Sequence, residues 1–296
     1  MSIKCQHLDC PTPTHPKRKT AMTSSSPLQG RTAIVTGASS GIGRAIAQHL
    51  GQAGAHVFLS GRTAHSMEES KKTIEEAGGR ASVITGDVRD VAQIRSLIDS
   101  AVEATGRLDI MVNNAGISYP APIIEGDPEE WRAMLETNIL AVLVGCQAAV
   151  KAMRACGAEG QIVNISSVAA QRSNSGVYGS TKHAVNSISS SLRDELENDT
   201  IRVTNVMPGA IATNFARNFD QDFVDTIVKM AGMDVEVKRG ERMPPEVLDA
   251  LAANMKQLLG DPNDVAKAVL YAVTQPIEVN IADIVIRPPK SMNVPH

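Results

Sequence analysis

Apolar residues in this chain gather into short unbroken runs separated by stretches of helical period, and the alternation repeats from about residue 31 to 286. Residues 32–36 read as a buried strand, and 41–53 read as a helix with Ile42, Ile46 and Leu50 on one face and Gly54 at its end. A strand at 55–60, a polar helix at 64–77 stopped by Gly78 and Gly79, a strand at 81–85, a helix at 91–104 and a strand at 108–112 continue the series. Asp127 and Pro128 suit the cap and first turn of a helix that Trp131, Leu135, Ile139, Val142 and Val150 carry to about 153. A strand at 161–165, a helix at 175–196, a strand at 201–206, a helix at 262–273 capped by Asp261 and a strand at 281–286 complete the pattern. Continuously apolar strands need cover on both faces, so the alternation predicts an α/β fold. Its core is a single doubly wound parallel sheet of about seven strands.

Two stretches depart from this pattern. Residues 1–30 are rich in Pro, Ser and Thr, carry Lys17, Arg18 and Lys19, and lack periodicity, so a disordered tail is expected there; 291–296 form a second tail. Met22 lies inside the first tail, consistent with an upstream start codon. Residues 215–259 interrupt the alternation within a domain of 31–290. Phe219, Phe223, Ile227 and Met230 recur there at helical spacing, with Met233, Met243 and Met255 nearby, which fits either a mobile helical substrate lid or a packed peripheral subdomain.

Composition narrows the function classes. The 296 residues carry a formal charge of −3 with scattered lysines and arginines, so neither a nucleic-acid stripe nor a basic membrane face is expected. The sequence shows no apolar run of about 18 residues and opens on no signal peptide, which places the protein in the cytoplasm as an expectation. Four cysteines make no disulfide framework. Cys5, His7, Cys10 and His15 match no zinc spacing, so no metal is expected. The long apolar helices suit a homodimer or homotetramer, although core burial explains them equally well.

The chemistry gathers at Tyr178 and Lys182. Four residues apart on a helix, they share a face, and a cation beside a phenol lowers a pKa that is ordinarily ~10, preparing the hydroxyl for proton transfer. Upstream, Thr36-Gly37-Ala38-Ser39-Ser40-Gly41-Ile42-Gly43 lies between a strand and a helix, where backbone N–H groups hold a pyrophosphate. Together with Asn113-Asn114-Ala115-Gly116, Asn138, Ser166-Ser167 and Pro208-Gly209 in that order, these residues resemble the short-chain dehydrogenase/reductase family over roughly 31–286.

The resemblance implies a Rossmann-type fold and an NADP(H)-dependent oxidoreductase that interconverts a secondary alcohol and a ketone or aldehyde on a small molecule. It makes Tyr178 the general acid/base. Lys182 would depress its pKa and hold the nicotinamide ribose, Ser167 would donate to the substrate oxygen, and Asn138 would hold a water leading from Lys182 to solvent. The connection from Ser167 to Tyr178 is about two residues shorter than in many relatives, which keeps Ser166 as a competitor for the serine role.

The cofactor-binding set implied is Gly37, Ser39, Ser40, Gly41, Ile42, Gly43, Arg62, Asp87, Val88, Asn114, Ala115, Gly116, Tyr178, Lys182, Pro208, Gly209, Ile211 and Thr213. The second strand ends Leu59-Ser60-Gly61-Arg62 without the carboxylate that receives an NAD ribose, and Arg62 suits a 2'-phosphate, so NADP is favoured. The ending at 279–288 resembles the branch of NADP-dependent 3-hydroxy acid and serine 3-dehydrogenases. Two other readings stand beside the enzyme: a non-catalytic NADP-binding regulatory or scaffold protein, and an isomerase or dehydratase that retains its cofactor.

Overall fold

The computed structural model describes residues 26–290. The tail cluster of Cys5, His7, Cys10 and His15 and the stretch 291–296 lie outside the described residues. In chain order the elements are β1 (Thr32–Thr36), α1 (Gly41–Gln52), β2 (His56–Gly61), α2 (Ala64–Glu76), β3 (Arg80–Thr85), α3 (Val91–Thr105), β4 (Ile110–Asn113) and α4 (Pro128–Leu135). After a π turn at Glu136–Leu140 come α5 (Ala141–Cys156), β5 (Gly160–Ile165), α6 (Gly176–Glu195), β6 (Ile201–Pro208), α7 (Gln221–Met230), α8 (Pro245–Asn254), α9 (Pro262–Val273) and β7 (Asp283–Ile286).

The seven strands form one sheet in the order β3-β2-β1-β4-β5-β6-β7, every neighbouring pair parallel. Alternation along each strand feeds two cores. Ala33, Val35, Val57, Leu59, Ile110 and Val112 meet α1, α2 and α9 on one face, whereas Ile34, Phe58 and Met111 meet α3, α5 and α6 on the other. Strand order reverses between β1 and β4, and open sheets of this kind leave a crevice beyond the strand ends at that point.

Three features differ from the expectation. Residues 26–30 of the expected disordered tail are ordered: Leu28 is fully buried in the first core and its N–H donates to Ala53 O at 2.9 Å. A lone leucine in a polar stretch carries no periodicity, so only its burial reveals it. The single helix expected at 128–153 is broken by the π turn, which contains Asn138. The span Pro128–Cys156 is also long and apolar enough by itself to cross a bilayer, yet 56% of its most apolar window is buried, and α5 packs on α3, β4 and β5 as a core helix.

The 215–259 segment is built around its own small core of Val224, Val228, Val237, Val247 and Leu251, separate from the two cores of the sheet. Its ends meet. Ile211 and Gly260 form a parallel bridge, with Ala212 N–H donating to Gly260 O at 3.0 Å and Gly260 N–H to Ala210 O at 2.9 Å.

Candidate active site

The crevice beyond β1 and β4 is floored by the glycine turn. Thr36 ties the two strand ends together: its Oγ1 donates to Val112 O at 3.3 Å and accepts from the N–H groups of Asn114 at 3.0 Å and Ala115 at 3.1 Å. The Asn114 side chain donates to Thr36 O at 2.8 Å. Gly37 and Gly41 adopt φ of 65° and 55°, the left-handed region that a side chain disfavours. At Gly43 a Cβ would collide with Asn114 Nδ2 and Gly37 O, so α1 can sit this close to β1 only without one. The Ser40 side chain makes no capping bond at the start of α1, leaving first-turn N–H groups open to an anion.

Across the crevice, α6 presents Tyr178 and Lys182. Lys182 is 3% exposed and its Nζ donates to Ile165 O at 2.8 Å, lying 5.9 Å from the Tyr178 ring centroid. Burial lowers the Lys182 ammonium to about 8 and pushes the Tyr178 phenol up to about 12, against which a hydrogen bond with Ser167 acts in the opposite sense. The expected depression of the phenol by Lys182 is therefore not what the protein alone produces. The ammonium is spent on a backbone carbonyl, and desolvation outweighs it.

Ser167 lines the cavity, as does Ser166. Ser167 Oγ accepts from Ala169 N–H at 3.1 Å as the cap of a short 3-10 turn. The competing Ser166 points the other way, donating to Asn186 Oδ1 at 2.6 Å and lying 3.1 Å from Lys182 O.

Asn138 is fully buried and does not line the crevice. Its Nδ2 donates to Ile117 O at 2.9 Å and Thr181 Oγ1 at 3.0 Å, and its Oδ1 accepts from Ile117 N–H at 2.9 Å. The side chain thus staples the π turn to the loop after β4 and to α6, which leaves no side-chain N–H for the expected water. Gly116 sits beside this staple, a Cβ there falling 3.5 Å from both Asn138 Oδ1 and Lys182 Nζ. Thr181, missed in the sequence, matters here because it lies between the two residues that Tyr178-x-x-x-Lys182 singles out. A second buried chain, Asn113 to Asn164 at 2.9 Å and Asn164 to Ser189 at 3.0 Å, links β4, β5 and α6 under the site.

Every residue of the expected cofactor set lines one cavity of about 870 Å³ together with Ser167. Arg62 lies at the end of β2 on this rim, and Asp87, paired with Arg89 at 2.7 Å, lies at the end of β3. That pairing holds the Asp87 carboxyl below the usual range. The cavity continues under the 215–259 segment. Phe215 meets the Tyr178 ring at 5.3 Å between centroids, Phe219 meets Phe223 at 5.0 Å, and Ile227, Met230 and Met255 extend the apolar wall.

A parallel sheet with a glycine turn at its switch point, and Tyr178, Lys182 and Ser167 across the crevice, defines a doubly wound α/β protein. Residues 31–223 match the short chain dehydrogenase profile, and the chain belongs to that family. It is 33% identical over 266 residues to an oxidoreductase of Staphylococcus saprophyticus, covering 88% of this chain and 98% of the relative. Among solved structures, a metagenomic short-chain oxidoreductase in complex with NADP superposes with a TM-score of 0.69 at 29% identity, covering 89% of this chain and 99% of that one. A short chain dehydrogenase from Burkholderia cenocepacia in complex with NADP superposes with a TM-score of 0.71 at 30% identity, over 88% and 98% of the two chains.

Proposed function

We propose that this chain is an NADP(H)-dependent oxidoreductase that interconverts a secondary alcohol and a ketone or aldehyde on a small apolar molecule. The observation that carries the reading is that Tyr178, Lys182 and Ser167 line the same cavity as the glycine cradle. Residues suited to the cofactor are present along that cavity: the open N–H groups of α1 for a pyrophosphate, Arg62 for a phosphorylated ribose, and Lys182 for the nicotinamide ribose. A bound nicotinamide supplies or accepts the hydride.

The protein's own part is to bind, orient and move a proton. A phenol pushed up to about 12 stays protonated at neutral pH, so Tyr178 Oη is set to give its proton to a carbonyl oxygen, the reductive direction. Ser167 Oγ, fixed by the Ala169 N–H, donates a second hydrogen bond to that oxygen as charge develops on it. Phe215 and the apolar wall beyond it exclude water from the reacting atoms. That wall favours apolar carbonyls over the hydroxy acids of the branch that the 279–288 ending resembles.

Purified protein incubated with NADPH and a panel of aldehydes and ketones tests the proposal through loss of cofactor absorbance. Tyr178→Phe is expected to bind NADPH normally and lose at least ~100-fold in turnover. Near-native turnover in that variant removes Tyr178 from the reaction. Binding without oxidation of NADPH across the whole panel supports a regulatory binder instead.

A further inference from the structure

Arginines gather at one end of the cavity, and the carboxylate nearest Arg62, Asp87, is already paired with Arg89. Arg62 stands just past β2. Arg242, carried by the 215–259 segment, reaches neutral hydroxyls beside the glycine turn, where Ser39 lines the cavity. Its Nη1 donates to Ser66 Oγ at 2.7 Å, and its Nη2 donates to Ser39 Oγ at 3.1 Å and Thr63 Oγ1 at 3.4 Å. Ser39 belongs to the glycine turn and lies against Gly61, its Oγ 3.7 Å from the place a Gly61 Cβ would occupy. Arg242 is therefore seated where the glycine turn, the end of β2 and the start of α2 converge.

The charge there is unbalanced. Arg217, from the same segment, lines the cavity and donates to Asn214 O at 3.2 Å. After burial, the next causes that lower the proton affinity of Arg217 are Arg62 and Arg242, and those acting on Arg242 include Arg44 and Arg62. Glu69 is the one carboxylate that offsets Arg242, and its carboxylate lies 3.4 Å from Arg44 and 3.3 Å from His65. Among the described residues no ion pair involves Arg62, Arg217 or Arg242. Like charges brought together against hydroxyl acceptors form a site that an anion stabilises, and a phosphomonoester dianion with three acceptor oxygens can engage two guanidiniums at once.

We propose that Arg242 is a second specificity-determining residue for the cofactor: with Arg62 it grips a phosphate on the adenosine ribose and thereby fastens the 215–259 segment to the bound dinucleotide. The inference rests on the NADP reading. Its consequence extends to the substrate, because the segment that carries Arg242 also sets Phe215 against Tyr178 and supplies the apolar wall. The cofactor's phosphate then helps to shape the pocket in which the carbonyl binds.

The test uses the full chain and two probes that lack nicotinamide, adenosine 2',5'-bisphosphate and adenosine 5'-monophosphate, with binding read by calorimetry. Arg242→Ala is expected to weaken the bisphosphate at least ~10-fold and leave the monophosphate unchanged, with Arg242→Lys falling between. In turnover assays the same variant raises KM for the carbonyl with NADPH and leaves KM with NADH unaltered. Wild-type protein that holds the two probes equally overturns the NADP reading along with this inference. Wild-type discrimination that is lost in Arg62→Ala and retained in Arg242→Ala overturns the inference alone. An equal loss for both probes in Arg242→Ala likewise overturns it, since that pattern marks general damage to the cavity.

Discussion

Lys182 and Tyr178, one turn apart on α6, are driven by burial in opposite directions, the ammonium down to about 8 and the phenol up to about 12. Each shift disfavours the charged form, so at pH 7 the buried ammonium weighs against folding. The sign follows from proton counts. Between about 8 and the ordinary 10.5 the unfolded chain binds more protons at this lysine than the native chain, so its cost is full below that window and fades as pH rises through it. Lys182→Met is therefore expected to abolish turnover while raising the melting temperature at pH 7, by ~2–4 °C for each kcal/mol relieved. Loss of the bond to Ile165 O offsets ~1 kcal/mol of the gain. Thermal melts at pH 7 and pH 10 decide the matter: an unchanged melting temperature at pH 7, or an advantage that does not shrink at pH 10, contradicts the account. Tyr178, Lys182 and Ser167 were legible in the sequence because their types and order are set by chemistry. The directions in which burial drives the Tyr178 phenol and the Lys182 ammonium were not, because desolvation depends on what folds around them.

At the scale of elements, the π turn at Glu136–Leu140 shows where local pattern gives out. Apolar spacing predicted one unbroken helix, and nothing in the composition of Glu136-Thr137-Asn138-Ile139-Leu140 announces an extra residue in the turn. What holds the turn is tertiary: three hydrogen bonds from Asn138 to Ile117 and Thr181, 21 and 43 positions away. Asn138→Ala leaves the Ile117 N–H and C=O without those partners, so a destabilisation of ~1–3 kcal/mol in urea unfolding is expected, with turnover falling as α6 loosens. Full stability in that variant would show that packing alone keeps the turn. The strands, by contrast, were readable to within a residue or two. Residues buried on both faces must be apolar throughout, and the glycines and Asp caps that bound these elements act locally. Arg242 illustrates the opposite case, as its contact with Ser39 spans 203 positions and leaves no trace in either neighbourhood.

At the scale of the whole molecule, the described residues form three cores rather than one. Two belong to the sheet and its flanking helices, and the third lies wholly within 215–259, where α7 and α8 meet. A separate core is a separate cooperative unit, so damage inside it opens the segment before the sheet. Val247, fully buried and outside the cavity wall, is the position to probe. Val247→Ala is expected to make limited proteolysis cut first within 215–259 and to raise KM for the carbonyl, with NADPH binding weakened through Arg242 and NADH binding unchanged. Cleavage spread evenly along the chain would join this core to the other two. The bridge between Ile211 and Gly260 gives this partition a further meaning. Because entry and exit of the excursion are clasped together at the rim of the sheet, its length can vary without moving the strands that carry it. A different span spliced between the same two points would leave Tyr178, Lys182 and Ser167 where they stand and bring its own lining to the cavity.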